Sequence, residues 1–294
     1  MGTPSLNPLK TTLMTYSQLV QQIRAKGSFL CVGLDSDIEQ LPASLRHSAT
    51  PLLDFNKAII DATAPYTVAY KPNLAFYEAL GSSGWAQLVQ SLAYIRENYP
   101  NMFIIADAKR GDIGNTAQRY AQAFFETQDC DAVTLSPYMG MDAIDPFLAY
   151  RQKWAIVLAL TSNPSAEEFE MQALADGELL YERVIRTVCA RAGKEKLMLV
   201  AGATRPQMLG RIRELAPEHF LLVPGVGAQG GSLEEVARYG LTKDAGLLVN
   251  VSRAIIYADK GKGFAEAAGK KAAEYAQEMK QLLEAKGFIE RSLF

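Results

Sequence analysis

Short apolar segments recur along the chain, each four to six residues long and rich in Val, Ile and Leu. There are eight of them, at residues 29–34, 67–70, 102–106, 132–135, 155–160, 197–201, 220–223 and 246–249. Near-continuous apolar runs are typical of strands that helices cover on both faces of a parallel sheet. The pattern therefore predicts eight buried parallel strands.

The stretches between these segments carry apolar residues at every third or fourth position. Leu88, Leu92 and Ile95 precede the third segment, and a longer stripe from Phe264 to Leu282 follows the eighth. This period indicates helices that bury one face. Strands alternating with helices over about 250 residues predict an α/β fold of the (β/α)8 TIM barrel type. A doubly wound open sheet is the alternative.

The chain shows no Gly/Ser linker and no block of like charges that would divide it. We therefore predict a single barrel domain over residues 1–294. Residues 36–64 form a long connection between the first two strands, and Pro42, Pro51 and Pro65 interrupt it. We predict a helical insertion there, with the helix around residues 52–60.

Composition narrows the classes of partner. The net charge is −2, with 49% hydrophobic and 21% charged residues, so no overall basic field attracts nucleic acid or an anionic membrane. Phosphate recognition would have to be local. The two histidines are not paired at a metal-binding spacing, so no metal site is expected. Three dispersed cysteines, no signal-peptide pattern and no long apolar run favour a cytoplasmic protein.

Candidate chemistry follows the strands, because TIM barrels carry their active sites at the carboxyl ends of the strands. The third strand runs into Asp107-Ala-Lys109, with Asp112 three residues further on. Residues two apart on a strand point to the same side, so the pattern predicts a carboxylate–ammonium pair in the barrel mouth. Lys71 follows the second strand and Asp35 the first. A solvated salt bridge at a strand end is the simpler alternative.

A candidate anion site follows the last two strands. The seventh strand runs into a glycine-rich loop containing Gly225 and Gly227, and the eighth runs into Arg253. Glycine-rich loops can direct backbone amides at an anion, and the loops after these two strands form the usual phosphate site of this fold. Ser162, after the fifth strand, could bind polar edges of a ligand ring. The alternatives are a flexible turn and a capping serine.

The motif Asp107-x-Lys109-x-x-Asp112-Ile113 resembles the signature of the orotidine 5'-phosphate decarboxylase family, in the longer bacterial branch. Other segments match that family in the same order: Asp35, Lys71, Thr204-Arg205-Pro206, the loop 224–229 and Arg253. The resemblance implies a carboxy-lyase of de novo pyrimidine biosynthesis. It would convert orotidine 5'-phosphate to uridine 5'-phosphate and would use no cofactor.

The resemblance also implies roles for the catalytic residues. Lys109 would donate a proton to the carbon that loses CO2, and Asp107 would lie against the departing carboxylate. Lys71 would bind the ribose and hold Asp107, while Asp35 would accept a hydrogen bond from a ribose hydroxyl.

Further residues carry implied binding roles. Ser162 would bind the pyrimidine, and the phosphate would lie between Gln229, Arg253 and the loop containing Gly225 and Gly227.

Three more residues, Asp112, Ile113 and Thr116, would reach into the active site of a partner subunit. The resemblance therefore implies a homodimer. The long loop 165–177 is expected to close over the base.

Three rival functions remain at this stage. A sugar-phosphate decarboxylase or synthase of the same superfamily would share the Asp-x-Lys-x-x-Asp strand but would need Mg²⁺. An aldolase could form a Schiff base through Lys71 or Lys109. A non-catalytic barrel could bind a phosphorylated ligand without turnover.

Overall fold

The computed structural model describes residues 14–227 and 230–290 of the chain. Eight parallel strands close into a barrel in sequence order, and the last strand pairs with the first through Leu30 opposite Val249. The strands are β1 Leu30–Leu34, β2 Ala69–Pro72, β3 Phe103–Arg110, β4 Ala132–Leu135, β5 Trp154–Leu160, β6 Leu197–Ala201, β7 Phe220–Pro224 and β8 Leu247–Val251. Closure rules out the doubly wound open sheet, and the predicted TIM barrel is confirmed.

Helices surround the strands as the apolar stripes predict. They are α1 Tyr16–Lys26, α2 Pro51–Thr63, α3 Leu74–Glu78, α4 Gly81–Asn98, α5 Gly114–Gln122, α6 Asp145–Leu148, α7 Leu180–Arg191, α8 Pro206–Leu215, α9 Leu233–Gly240, α10 Arg253–Ile256 and α11 Phe264–Ala285. A π-helical turn, Ala123–Thr127, extends α5. None of the described helices combines the length and the apolarity needed to cross a bilayer.

The connection 36–64 has a different role from the one predicted. Its helix α2 joins two parallel neighbouring strands, β1 and β2, and packs against α4 and α11 in the helix layer. A parallel strand pair requires such a crossover, usually a helix. The helix predicted around residues 52–60 is present as α2, and it is the crossover between β1 and β2 rather than an addition to the barrel.

The first described helix, which the pattern of strands did not predict, covers the amino-terminal end of the barrel. Thr15 caps α1 by accepting from the Gln18 amide, and the Gln18 side chain accepts from the Thr15 amide in return. Leu19 and Ile23 are buried on the barrel side, and the indole N–H of Trp154 donates to Met14. Helix α1 thus covers the amino-terminal end of the barrel. The carboxyl ends of the strands form the opposite end.

A buried ionic cluster joins β3 and β4 at the covered end. The carboxylate of Asp131 is fully buried and accepts from the Ile104 amide and from the Arg96 guanidinium, both at 2.8 Å. Burial raises the pKa of Asp131, and Arg96 and Lys153 oppose that rise. The carboxylate therefore depends on its cationic neighbours for stability in the charged form.

We expect Arg96→Met to lower the free energy of unfolding by about 3–5 kcal/mol, because it leaves a buried carboxylate without its guanidinium partner. Urea denaturation measures the change. Lys271→Met is the matched control: it breaks an ion pair with Glu274 whose side chains are 42% and 51% exposed. We expect the control to cost under about 1 kcal/mol. Equal costs for the two variants would contradict the prediction.

Candidate active site

The carboxyl ends of the strands surround a cavity of about 300 Å³. The sequence-predicted residues that line it are Asp35, Lys71, Asp107, Lys109, Ser162, Gly225 and Arg253. They come from β1, β2, β3, β5, β7 and β8 or from the loops that follow these strands. The barrel therefore brings together side chains that are far apart in sequence, at the end where this fold carries its chemistry.

A carboxylate between two ammonium groups lies at the centre of this cavity. Lys71 Nζ is 2.6 Å from Asp107 Oδ2, and Lys109 Nζ is 2.6 Å from Asp107 Oδ1. The side chains of Lys71 and Asp107 are 5% and 10% exposed, whereas that of Lys109 is 51% exposed. Asp107 and Lys71 are thus held inside the barrel, and the Lys109 ammonium faces the opening.

The two lysines keep Asp107 ionised. Burial acts to raise the pKa of Asp107, but Lys71 and Lys109 outweigh it and hold the pKa well below its ordinary value. Burial likewise acts to lower the pKa of Lys71, and the carboxylates of Asp107 and Asp35 outweigh it, so that this pKa lies above its ordinary value. At neutral pH Lys71 and Asp107 are therefore an ion pair.

The route by which Lys109 reaches the cavity differs from the regular alternation that the sequence predicted. The pairing register of β3 with β4 shifts between Ala106 and Arg110, and Lys109 has a left-handed backbone with φ of 48°. Residues other than glycine rarely adopt this backbone conformation. The predicted juxtaposition of Asp107 and Lys109 is present, but a local irregularity of the strand produces it.

Sequence reasoning missed Thr134 and Asn250, which both line the cavity from within strands. Thr134 lies on β4, is 1% exposed, and donates to Asp107 Oδ1 over 3.0 Å. Asn250, on β8, accepts a weak hydrogen bond from the Cys31 thiol over 3.6 Å. Each is a polar residue inside an otherwise apolar strand, and that pattern was the available signal.

Asp35 lines the cavity, and one of its carboxylate oxygens is unpaired. Its Oδ1 is buried and has no hydrogen-bond partner among the described residues. The phenol of Tyr257 holds the segment in place, since it donates to the Asp35 carbonyl and accepts from the Asp37 amide. A buried acceptor without a donor costs free energy, which suits a site that receives a donor from a ligand.

The glycine-rich loop differs from the expected amide cradle. Gly227, Gly230 and Gly231 direct their amides at carbonyl groups within the same loop, at 2.9–3.2 Å. These three amides are therefore not aimed at an anion, and that part of the prediction is corrected. Gly225 lines the cavity, whereas Gly227 lies outside the lining.

Arg253 supplies the cationic group at this side of the cavity. It is the first residue of α10, it is exposed, and its guanidinium forms no salt bridge within the described residues. A guanidinium can bind a phosphate with two parallel hydrogen bonds. Gln229, the other predicted phosphate ligand, lies outside the described residues.

The loop after β5 is tied down at several points. The amide of Thr161 donates to the Glu170 carboxylate over 2.7 Å, and its hydroxyl donates to the same group. Arg205, after β6, forms an ion pair with Glu167 at 2.6 Å. Ser162 follows Thr161 in this loop, and its carbonyl accepts a hydrogen bond from the Thr204 hydroxyl. Closure of this loop over a ligand stays a prediction.

Asp112, Ile113 and Thr116 do not line the cavity of their own chain. They occupy the loop after β3 and the first turn of α5, where Thr116 is exposed and Ile113 is 47% exposed. The amide of Ser136 donates to the Arg110 carbonyl, so the loop after β4 lies alongside. That loop carries the exposed side chains of Tyr138 and Met139.

Within the described residues, no group of three or more His, Cys, Asp and Glu side chains is placed to hold a metal ion. The polar donors and acceptors of the cavity are instead ammonium, guanidinium, hydroxyl, amide and carboxylate groups. This set can bind an anionic ligand with hydroxyl groups, and it can place an ammonium against a developing negative charge.

Comparison with known proteins supports this interpretation. Residues 28–268 match the model of the orotidine 5'-phosphate decarboxylase / HUMPS family. The chain is 54% identical over 270 residues to an orotidine 5'-phosphate decarboxylase of Phocaeicola vulgatus, covering 92% of this chain and 99% of that protein. It is 56% identical over 276 residues to the enzyme of that name in Porphyromonas gingivalis, covering 94% and 100%.

Solved structures agree in fold. The OMP decarboxylase of Leishmania donovani superimposes with a TM-score of 0.75 at 36% identity, covering 91% of this chain and all of that one. The family match spans nearly the whole barrel, and the curated relatives cover almost the full chain. The chain therefore belongs to the orotidine 5'-phosphate decarboxylase / HUMPS family.

Proposed function

We propose that this protein converts orotidine 5'-phosphate to uridine 5'-phosphate in de novo pyrimidine biosynthesis, without a cofactor and with Lys109 as the proton donor. The observation that carries the proposal is the Lys71–Asp107–Lys109 arrangement, with both salt bridges at 2.6 Å inside a cavity that Arg253 also lines. The names of the curated relatives favour the same substrate and reaction.

The chemistry explains why an ammonium is needed. Loss of CO2 from a pyrimidine ring carbon leaves an electron pair on that carbon with no adjacent electron sink. A preorganised positive charge stabilises such a localised anion most effectively where water is excluded. The Lys109 ammonium faces the cavity opening, where it can lie beside that carbon and then donate a proton to it.

Asp107 has two functions in this proposal. Its carboxylate fixes the ammonium groups of Lys71 and Lys109. It would also lie against the carboxylate of the substrate, where the two negative charges repel each other until CO2 leaves. Interactions that improve on the way to the transition state accelerate the chemical step. We assign the larger share of the acceleration to Lys109, which acts on the developing charge directly.

The remaining cavity residues would hold the nucleotide. The Asp35 carboxylate would accept from a ribose hydroxyl, with Lys71 nearby, and Ser162 would bind the pyrimidine. Arg253 would bind the phosphate, with Gln229 as its predicted companion. Phosphate binding energy would then stabilise closure of the loops after β5 and β7. Closure would remove water from around Lys109, which is half exposed in the open cavity.

The functional unit would be a homodimer. Asp112, Ile113 and Thr116 lie outside the cavity of their own chain and would complete that of the partner. An isologous interface supports such an exchange, because each subunit gives the other the same residues. The exposed side chains of Tyr138 and Met139, 84% and 47% exposed, lie on the adjacent loop and would be covered by the partner.

A metal-dependent sugar-phosphate decarboxylase or synthase is the second candidate, because the description of the matched family includes HUMPS. The curated relatives at 53–56% identity all carry the decarboxylase name, which favours the nucleotide enzyme.

An absorbance assay with orotidine 5'-phosphate, run with and without EDTA, separates the two candidates. We expect loss of orotidine 5'-phosphate and formation of uridine 5'-phosphate at the same rate in both conditions. Absence of turnover, or turnover that EDTA abolishes and Mg²⁺ restores, would overturn the proposal.

We expect Lys109→Ala to lower kcat by more than about 10⁴-fold, because it removes both the proton donor and the charge facing the carbanion. Calorimetry should show that uridine 5'-phosphate still binds. Lys262→Ala, which removes an exposed lysine between α10 and α11, is the control and should leave kcat unchanged. Residual activity within about tenfold of wild type would show that Lys109 is not the donor.

The homodimer makes a separate prediction. Asp112→Ala and Lys109→Ala should each be inactive alone, but a refolded equal mixture should regain about one quarter of wild-type activity. Half of the dimers are then mixed, and each mixed dimer has one site with both residues intact. Mixing without refolding is the control. No recovery after subunit exchange would mean that Asp112 acts within its own chain.

A further inference from the structure

A closed set of hydrogen bonds joins β3 to β4 beside the cavity. The Lys109 amide donates to Thr134 Oγ1 over 3.0 Å, and the Thr134 hydroxyl donates to Asp107 Oδ1 over 3.0 Å. The Lys109 ammonium donates to the same Asp107 oxygen over 2.6 Å. Thr134 therefore contacts the backbone of one predicted catalytic residue and the carboxylate of the other.

The direction of these bonds is fixed by chemistry. A backbone amide can only donate, so Thr134 Oγ1 must accept from Lys109. An ionised carboxylate can only accept, so the single hydroxyl proton of Thr134 points at Asp107. Thr134 is 1% exposed, and bulk water therefore does not compete for its hydroxyl. No other orientation of the hydroxyl satisfies both neighbours.

The shifted register explains why the Lys109 amide needs this partner. β3 pairs with β4 at Ala106 and again at Arg110, and Lys109 lies in the irregular stretch between them with φ of 48°. A left-handed backbone at a residue other than glycine persists only where its surroundings hold it. The Thr134 hydroxyl is the group that receives the amide of this strained residue.

We propose that Thr134 is a positioning residue of the decarboxylation: its hydroxyl holds the Lys109 backbone and orients Asp107, so that both side chains meet the reacting carbon together. This inference rests on the function proposed above. It assigns a catalytic consequence to a residue on β4, a strand to which the sequence assigned no chemistry.

Three substitutions separate the hydroxyl from the packing of the side chain. Thr134→Ser keeps the hydroxyl, Thr134→Ala removes it, and Thr134→Val replaces it with a methyl group of similar size. We expect Thr134→Ser to retain kcat within about threefold of wild type. We expect the Ala and Val variants to lose about 10- to 100-fold in kcat, as the loss of a hydrogen bond to a charged group implies. KM should stay within about threefold, because the proposed nucleotide ligands lie elsewhere in the cavity.

Wild-type kcat in the Ala or Val variant would overturn the inference, as would a Ser variant as slow as the Ala variant. Thermal melting and binding of uridine 5'-phosphate check that each variant is folded. If Thr134→Val does not fold, the Ser and Ala variants, which differ by one oxygen atom, still show whether the hydroxyl affects kcat. If the wild type itself does not turn over orotidine 5'-phosphate, the proposed function fails instead.

Crystal structures of the Ser and Ala variants then test the positioning by Thr134 directly. An unchanged Lys109 backbone in the Ala variant would contradict that positioning.

Discussion

The Asp107 carboxylate accepts hydrogen bonds from the ammonium groups of Lys71 and Lys109 and from the Thr134 hydroxyl. The arrangement of these three side chains around the cavity depends on this one group. The Lys71 side chain is 5% exposed, and within the described residues its Nζ donates a hydrogen bond only to Asp107. Without Asp107, Lys71 would be a buried ammonium without a hydrogen-bond acceptor, which costs free energy. Lys109 would lose the contact that directs its flexible side chain into the cavity. Because β3 pairs with both β2 and β4, strand pairing positions the side chains of Lys71, Asp107, Lys109 and Thr134 together.

The charge of the cavity differs from that of the chain. The protein as a whole carries a net charge of −2, yet Lys71, Lys109 and Arg253 face only two carboxylates, Asp35 and Asp107, around the cavity. The positive charge available to an anionic ligand is therefore local. The Lys109 side chain is 51% exposed, so solvent screens its charge in this structure. Exclusion of water by closed loops would strengthen its interaction with a developing carbanion.

The sequence predicted the barrel well because its signal is strong and local. Buried parallel strands need near-continuous apolar residues, and each of the eight predicted segments overlaps a strand. The carboxyl-terminal ends of those strands then located Asp35, Lys71, Asp107, Lys109 and Arg253 at one cavity. The predictions that were wrong concerned features set by strand pairing and by hydrogen bonds within loops. The bulge of β3 before Arg110 cannot be inferred from side-chain alternation, and the amides of the glycine-rich loop found partners within the loop.

The role of Thr134 could not be predicted from the sequence for the same reason. A threonine in an apolar strand is compatible with ordinary packing, and only the neighbouring strand reveals that its hydroxyl lies between Lys109 and Asp107. The role of α2 was also misjudged, because the length of a connection does not show which helix is the crossover. Polar residues inside apolar strands at the mouth of a barrel are therefore worth treating as candidates.

Neutron crystallography of the protein at neutral pH can determine the charge states of Asp107, Lys71 and Lys109, because it locates exchangeable hydrogen atoms as deuterons. We expect an Asp107 carboxylate that carries no deuteron, hydrogen-bonded to Lys71 and Lys109 ammonium groups with three deuterons each. We also expect that the Thr134 hydroxyl deuteron points at Asp107 Oδ1. A deuteron on Asp107, or a neutral amine on Lys109, would show that these side chains do not form a carboxylate held between two ammonium groups.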